Sequence, residues 1–310
     1  MTRKLTASTV LMLTVAPLMW AGNAIAGRLV RGAVPPMTLN LLRWTLAMLI
    51  LLPLGRALLR PGSGLLRDWR RYSLLGLFGV GLYNSLQYLA LQSSTPINVT
   101  LVAAGMPVWM MIVGAVFFRA AVRQRQVVGA LLSIVGVVLV LARGDWQQLA
   151  SLHLVVGDLY MVLATISWSF YSWLLVAPFG GVPAGHTALS RENPAIRADW
   201  AAFLLAQVIY GAVWSVALAA IEWSSAPRQI VPGWQLAAVL AFVAIGPAVI
   251  AYRCWGTGVA RAGPTIAAFF SNLTPLFAAV MSLAVLGEAP HLYHAGAFLL
   301  IAGGIAWSSR

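Results

Sequence analysis

The sequence predicts an all-α polytopic membrane protein of ten transmembrane helices, arranged as two inverted five-helix repeats around a central cavity. Three observations lead there. The chain is 61% hydrophobic and only 9% charged, its apolar residues fall into stretches of about 20 residues, and stretches far apart share prolines at one constant offset. A soluble domain needs a charged surface that this composition does not supply.

Cutting the chain at charged and Pro/Gly-rich interruptions leaves segments 5–26, 37–58, 72–92, 97–118, 126–142, 154–177, 198–221, 234–256, 265–286 and 292–308. The first begins after Thr2-Arg3-Lys4 and carries Trp20 and Asn23; Ala24-Ile25-Ala26 imitates a cleavage site. Trp20 and Asn23 stand where a signal peptide has small residues, so an uncleaved first helix is expected. The second follows Pro35-Pro36 and holds Arg43. In the third, Tyr83, Asn84, Gln87 and Tyr88 recur at helical spacing. The fourth has Pro107 and Trp109 at its middle, the fifth Gly129 and Gly136. The sixth, opening at Gly157-Asp158, bears Trp168 and Tyr171 on one face, and the eighth bears Tyr252 and Trp255. The ninth interrupts an apolar run with Ser271, Asn272, Thr274 and Pro275, and the tenth carries Gly296 and Gly303.

The net charge of +13 raises nucleic-acid binding as a function, but the positions of the cations exclude it. With the N-terminus inside, Arg3, Lys4, Arg56, Arg60, Arg67, Arg70, Arg71, Arg119, Arg123, Arg125, Arg191, Arg197, Arg253, Arg261 and Arg310 gather on the inner side. Only Arg28, Arg31, Arg143 and Arg228 lie outside, and Arg43 lies within a span. This is the positive-inside bias, and it places both termini in the cytoplasm of an inner-membrane protein. The lone Cys254 leaves neither an intramolecular disulfide nor a cysteine metal cluster. No cofactor, metal or obligatory protein partner is implied; the expected partners are membrane lipid and a small-molecule substrate.

Pro96 and Pro107 align with Pro264 and Pro275, both at an offset of 168. Gly129 and Gly136 fall on Gly296 and Gly303 after a one-residue adjustment, and Trp20 corresponds to Trp168. The repeats are expected over 1–152 and 153–310. Five spans per half is odd, so the second half enters the membrane inverted, as in secondary transporters that place substrate where the halves meet.

These residues carry a resemblance over essentially the whole chain. Trp20 and Asn23, Pro35 and Pro36 followed by Arg43 and Trp44, the mid-helix Pro107 and Pro275, Gly157-Asp158, and Gly287-Glu288 resemble the EamA-type branch of the drug/metabolite transporter superfamily. Within it, the chain looks most like the YddG-type exporters of aromatic amino acids. One departure is visible: Arg119 stands near the place where the family often has Gly-Glu, leaving Glu288 without a symmetric counterpart.

Pro107 and Pro275 are expected to kink two equivalent helices, with Arg43 in a structural or gating role. Trp20, Asn23, Tyr83, Asn84, Gln87, Trp109, Trp168, Tyr171, Tyr252, Trp255 and Asn272 are the expected substrate-binding set, since unpaired amides avoid lipid and face the bundle interior. A phosphorylated substrate calls for cavity cations beyond Arg43, and a proton-exchanged organic cation calls for a mid-membrane acid. Asp68, Asp145, Asp158, Asp199, Glu192, Glu222 and Glu288 all fall in loops or near span ends, as do His153, His186, His291 and His294. An amino-acid zwitterion with a ring-bearing side chain suits the remaining polar and aromatic groups. The reading is therefore a facilitative exporter of aromatic or apolar amino acids. Its alternative is a broad exporter of other metabolites or organic cations, possibly proton-coupled. An intramembrane enzyme is disfavoured because no base or acid partners Ser85 or Ser271. Reporter fusions at each chain end should both read cytoplasmic; an external C-terminus breaks the ten-span reading.

Overall fold

The computed structural model describes residues 5–94, 96–142, 153–179, 198–225, 229–286 and 292–309, with 147 and 196 between them. Gly287, Glu288, His186, His291, Asp145, Glu192 and the loop cations Arg143, Arg191, Arg197 and Arg228 lie outside that set. Among the described residues the chain is all-helical. Its helices are α1 (Ala7–Leu29), α2 (Pro36–Leu54), α3 (Trp69–Ser93), α4 (Pro96–Ala104), α5 (Met106–Phe118) and α6 (Gln124–Ala142). They continue with α7 (Val156–Leu174), α8 (Trp200–Ser225), α9 (Trp234–Ala262), α10 (Pro264–Ser271), α11 (Leu273–Leu286) and α12 (Leu292–Ser308).

Each of the ten apolar segments is helical, and two of them are broken. Six helices are long and apolar enough to cross a membrane: α1 over Ala7–Gly27, α2, α3, α6, α8 and α9. The bent pair Asn98–Ala104 with Met106–Phe118 makes a seventh if it is one span. The other three segments depart for separate reasons: α7 is diluted by buried Asp158, Ser167, Ser169 and Ser172, α10 and α11 are separated at Asn272, and α12 has only 17 residues.

Prolines act at helix starts as much as inside them. Pro36 opens α2 and Pro264 opens α10, where a missing N–H costs no helical bond. The kink expected at Pro107 falls at Gly105, which separates α4 from α5 with a 43° bend and leaves Pro107 in the first turn of α5. The equivalent break is Asn272, ahead of Pro275 in the first turn of α11. Proline thus begins the second half-helix on each side.

Acids cap helices at the bundle's ends. Glu222 accepts from the Met37 and Thr38 amides at 3.0 and 2.9 Å, at the N-terminus of α2. Asp158 accepts from Asn98 Nδ2 at 3.1 Å, from the Val155 amide at 2.9 Å, and from the Ser94 hydroxyl. Arg71 donates to the Leu174 and Leu175 carbonyls at 3.3 and 3.4 Å. The end of α3 therefore meets the start of α7, and its start meets the end of α7, so the two run antiparallel.

Helices α6 and α12 pack at backbone distance and antiparallel. A Cβ on Gly129 would lie 2.7 Å from the Gly304 carbonyl oxygen, and one on Gly136 would lie 2.8 Å from Ile301 Cγ1. The facing glycine of α12 is Gly304; Gly303, aligned by sequence with Gly136, has nothing within 4 Å. Small residues permit such contact, and larger ones force the helices apart. Gly129→Leu should lower the thermal midpoint in detergent and the folded yield, by the roughly 1–3 kcal/mol of an overpacked core, whereas Gly303→Ala should leave both unchanged.

Candidate functional site

The site is organised by a π-turn that the sequence reading did not anticipate. In α3, residues Gly76–Leu82 widen into a π-turn, and α9 does the same at Ala244–Ile250, 168 residues later. In α9 the turn contains Pro247, which has no amide hydrogen to give. In α3 its counterpart is Gly79, where a Cβ would sit 2.5 Å from the Tyr171 ring. A π-turn releases carbonyls, and in a membrane the protein must supply their donors. Ser167 Oγ donates to the Phe78 carbonyl at 2.8 Å, the Tyr252 hydroxyl to that of Gly79, and Asn40 Nδ2 to that of Val80 at 2.9 Å. One turn of α3 is thereby bound to α7, α9 and α2. The signal in the sequence was the glycine-spaced Gly76, Gly79 and Gly81, with the amide of Asn40 inside the apolar segment 37–58.

Immediately beyond the turn lies a polar cluster around Arg43, which is fully buried. Its Nη1 donates to Asn84 Oδ1 at 2.6 Å and, at 3.4 Å, to Asn23 Oδ1 and the Tyr88 hydroxyl. Tyr88 also donates to Asn23 Oδ1 at 3.1 Å, and Asn84 Nδ2 donates to the Tyr252 hydroxyl at 3.3 Å. Asn84 and Tyr252 are themselves 168 residues apart, so repeat-equivalent positions meet.

Under this cluster the aromatic residues pack into one body. Trp168 lies 5.1 Å from Trp20 in an edge contact, 4.6 Å from Tyr83, 4.8 Å from Tyr171, 5.3 Å from Tyr252 and 5.5 Å from Trp255. Trp20 and Trp168, matched by the repeat, also meet face to edge. Each such pair adds about 0.5–1.5 kcal/mol beyond area burial. Trp255 Nε1 donates to Ser172 Oγ at 3.1 Å, whereas Trp168 Nε1 has no partner among the described residues.

Above this body opens a cavity of about 250 Å³. It is lined by exposed Arg31 and Gln92, by Trp20, Tyr83, Gln87 and Tyr88 of α1 and α3, and by Ser271, Asn272, Thr274 and Pro275 at the break between α10 and α11. The polar residues inside the apolar ninth segment therefore sit at a helix break against a cavity. Both side-chain atoms of buried Asn272 lack a partner among the described residues, which in a low-dielectric interior is costly until a ligand or water supplies one. No carboxylate lines the cavity among the described residues.

Of the expected site residues, Trp20, Tyr83, Gln87 and Asn272 line this cavity, together with Pro275. Trp168, Tyr171, Tyr252 and Trp255 pack with one another beside Trp20 and Tyr83 rather than lining the cavity. Asn23 and Asn84 are turned to Arg43. Trp109 and Pro107 are on α5, apart from the lining, with Trp109 partly buried beside Gly105.

Comparison with known proteins supplies the family. A 27% identical relative over 299 residues, covering 95% of each chain, is an uncharacterised transporter of Archaeoglobus fulgidus. The aromatic amino acid exporter YddG of Ancylobacter novellus is 27% identical over 292 residues, covering 93% of this chain and 92% of that protein. A crystal structure at 23% identity superposes with a TM-score of 0.72 over 97% of this chain and 96% of that one, which shows a common fold. The EamA-like transporter family matches residues 7–142 and again 155–310. With two copies of that family's helical unit in an apolar bundle, the chain belongs to the EamA-like transporter family and is an integral membrane protein.

Proposed function

We propose that this transporter exports aromatic and other largely apolar amino acids by alternating access, with two inverted five-helix repeats, 1–152 and 153–310, enclosing the substrate. The observation that carries the reading is the lining of the cavity: aliphatic and aromatic side chains with neutral amides and hydroxyls, Arg31 at its exposed end, and no carboxylate among the described residues. The ring of an amino acid packs on Trp20 and Tyr83, while its charged ends meet Gln87, Ser271 and Asn272. The relative named an aromatic amino acid exporter supports the same substrate class.

On the ten-span path with both termini cytoplasmic, the end carrying Arg31 and Gln92 faces outward. The cavity is then the outward-open form, and the packed Trp168, Tyr171, Tyr252 and Trp255 close the inner side. The breaks at Gly105 and Asn272 are where the two half-helix pairs pivot. With no acid among the described residues of the cavity to carry a proton, flux on this reading follows the substrate gradient.

Labelled phenylalanine or tryptophan preloaded into proteoliposomes should leave at a rate independent of an imposed proton gradient. Efflux that requires the gradient, or that occurs only for organic cations, overturns this reading in favour of a coupled or broader exporter. Gln87→Ala and Asn272→Ala should each raise the apparent KM for phenylalanine about tenfold, the worth of one lost hydrogen bond to a charged group, with unchanged folded yield. Trp168→Ala should instead reduce folded yield, because truncating a fully buried tryptophan costs about 3–5 kcal/mol.

A further inference from the structure

Arg43 presents a problem of charge that the described groups do not solve. Its side chain is fully buried, its guanidinium carbon lies 5.1 Å from the centre of the Trp44 ring, and of its nitrogens only Nη1 is hydrogen-bonded, by two amide oxygens and a tyrosine hydroxyl. Nε and Nη2 have no partner among the described residues. A buried cation calls for a counter-charge, not only dipoles. The described carboxylates are engaged elsewhere: Asp68 by Arg67, Asp199 by the Ala201 and Ala202 amides, Asp158 by Ser94, Asn98 and Val155, and Glu222 by Met37 and Thr38. The guanidinium thus carries a donor fork that no carboxylate among the described residues meets.

The position of that fork relates it to the cavity. Leu39, one turn before Arg43 on α2, lines the cavity, and so does Tyr88, whose hydroxyl touches Nη1. Tyr88 therefore touches both the open space and the guanidinium. We propose that Arg43 is the receptor for a small monovalent anion at the centre of the bundle, reached from the cavity when Tyr88 turns aside. The anion is either the carboxylate of a transported amino acid, in which case the inference rests on the proposed function, or a resident chloride. Both offer the compact negative charge that a guanidinium fork binds.

The two sources separate in a thermal-shift and binding assay on full-length protein in nanodiscs. The ligands are phenylalanine, phenylpropionate, which lacks the ammonium, and phenethylamine, which lacks the carboxylate, each in chloride and in gluconate buffer. For a substrate carboxylate, phenylalanine and phenylpropionate should bind at least tenfold tighter than phenethylamine, and Arg43→Gln should abolish that preference. For chloride, the wild type should be stabilised by chloride over gluconate without any amino acid, and Arg43→Gln should remove the effect. Arg43→Lys keeps the charge but not the fork, and should weaken whichever anion binds; this keeps the test open if the glutamine variant does not fold. An Arg43-dependent chloride effect with no amino-acid binding upholds the anion site while overturning the proposed substrate. Amino-acid binding that shows the same preferences in the wild type and both variants, with no chloride effect, overturns the anion site and leaves the proposed substrate standing. No response of the wild type to any of these anions overturns the site outright.

Discussion

Backbone carbonyls released inside a membrane bundle must find donors from the protein, because hydrocarbon offers none. That constraint shapes the centre of this molecule. The π-turn at Gly76–Leu82 presents three consecutive carbonyls, and each is taken by a side chain from a different helix: Ser167, Tyr252 and Asn40. The interactions are of ordinary strength individually, yet they are specific in direction, since only one relative placement of α2, α7 and α9 delivers all three donors. Gly79 admits the Tyr171 ring beside the turn, which lets the aromatic body close against it.

From this anchor the rest of the site follows in steps. Tyr252, fixed by the Gly79 carbonyl, receives Asn84 Nδ2, and Asn84 in turn offers its oxygen to Arg43. The same tyrosine packs edge-on to Trp44 and Trp168, so the hydrogen-bonded chain and the aromatic body share a member. Another amide of the cavity lining is left differently: Asn272, at the break between α10 and α11, has no side-chain partner among the described residues. The contrast separates amides that bond helix to helix from an amide at the cavity wall that no described residue bonds. It also explains why a broken helix, otherwise expensive in lipid, is tolerated at a cavity wall.

Much of the architecture was legible because hydrophobicity and charge act on the chain without regard to its three-dimensional course. The ten apolar segments all became helices, since a backbone in hydrocarbon has to bond within itself. The repeat was legible in Pro107 and Pro275 because proline constrains any helix that contains it. The glycine alignment was less exact: Gly304, rather than Gly303, faces Gly129, because helix rotation is set by the partner surface and not by the alignment.

The candidate site was legible as a composition but not as a division of labour. Sequence by itself determined that Trp20, Asn23, Asn84, Gln87, Trp168, Tyr252 and Asn272 turn inward, because amides and ring donors avoid lipid. Only the tertiary structure decided that Asn23 and Asn84 serve Arg43, that Trp168 and Tyr252 join a packed body, and that Gln87 and Asn272 face the cavity. The physical reason is that burial is a property of one residue and its solvent, whereas a hydrogen bond or a cavity wall requires two helices at a particular rotation and depth. Here those were set by where the π-turn released its carbonyls.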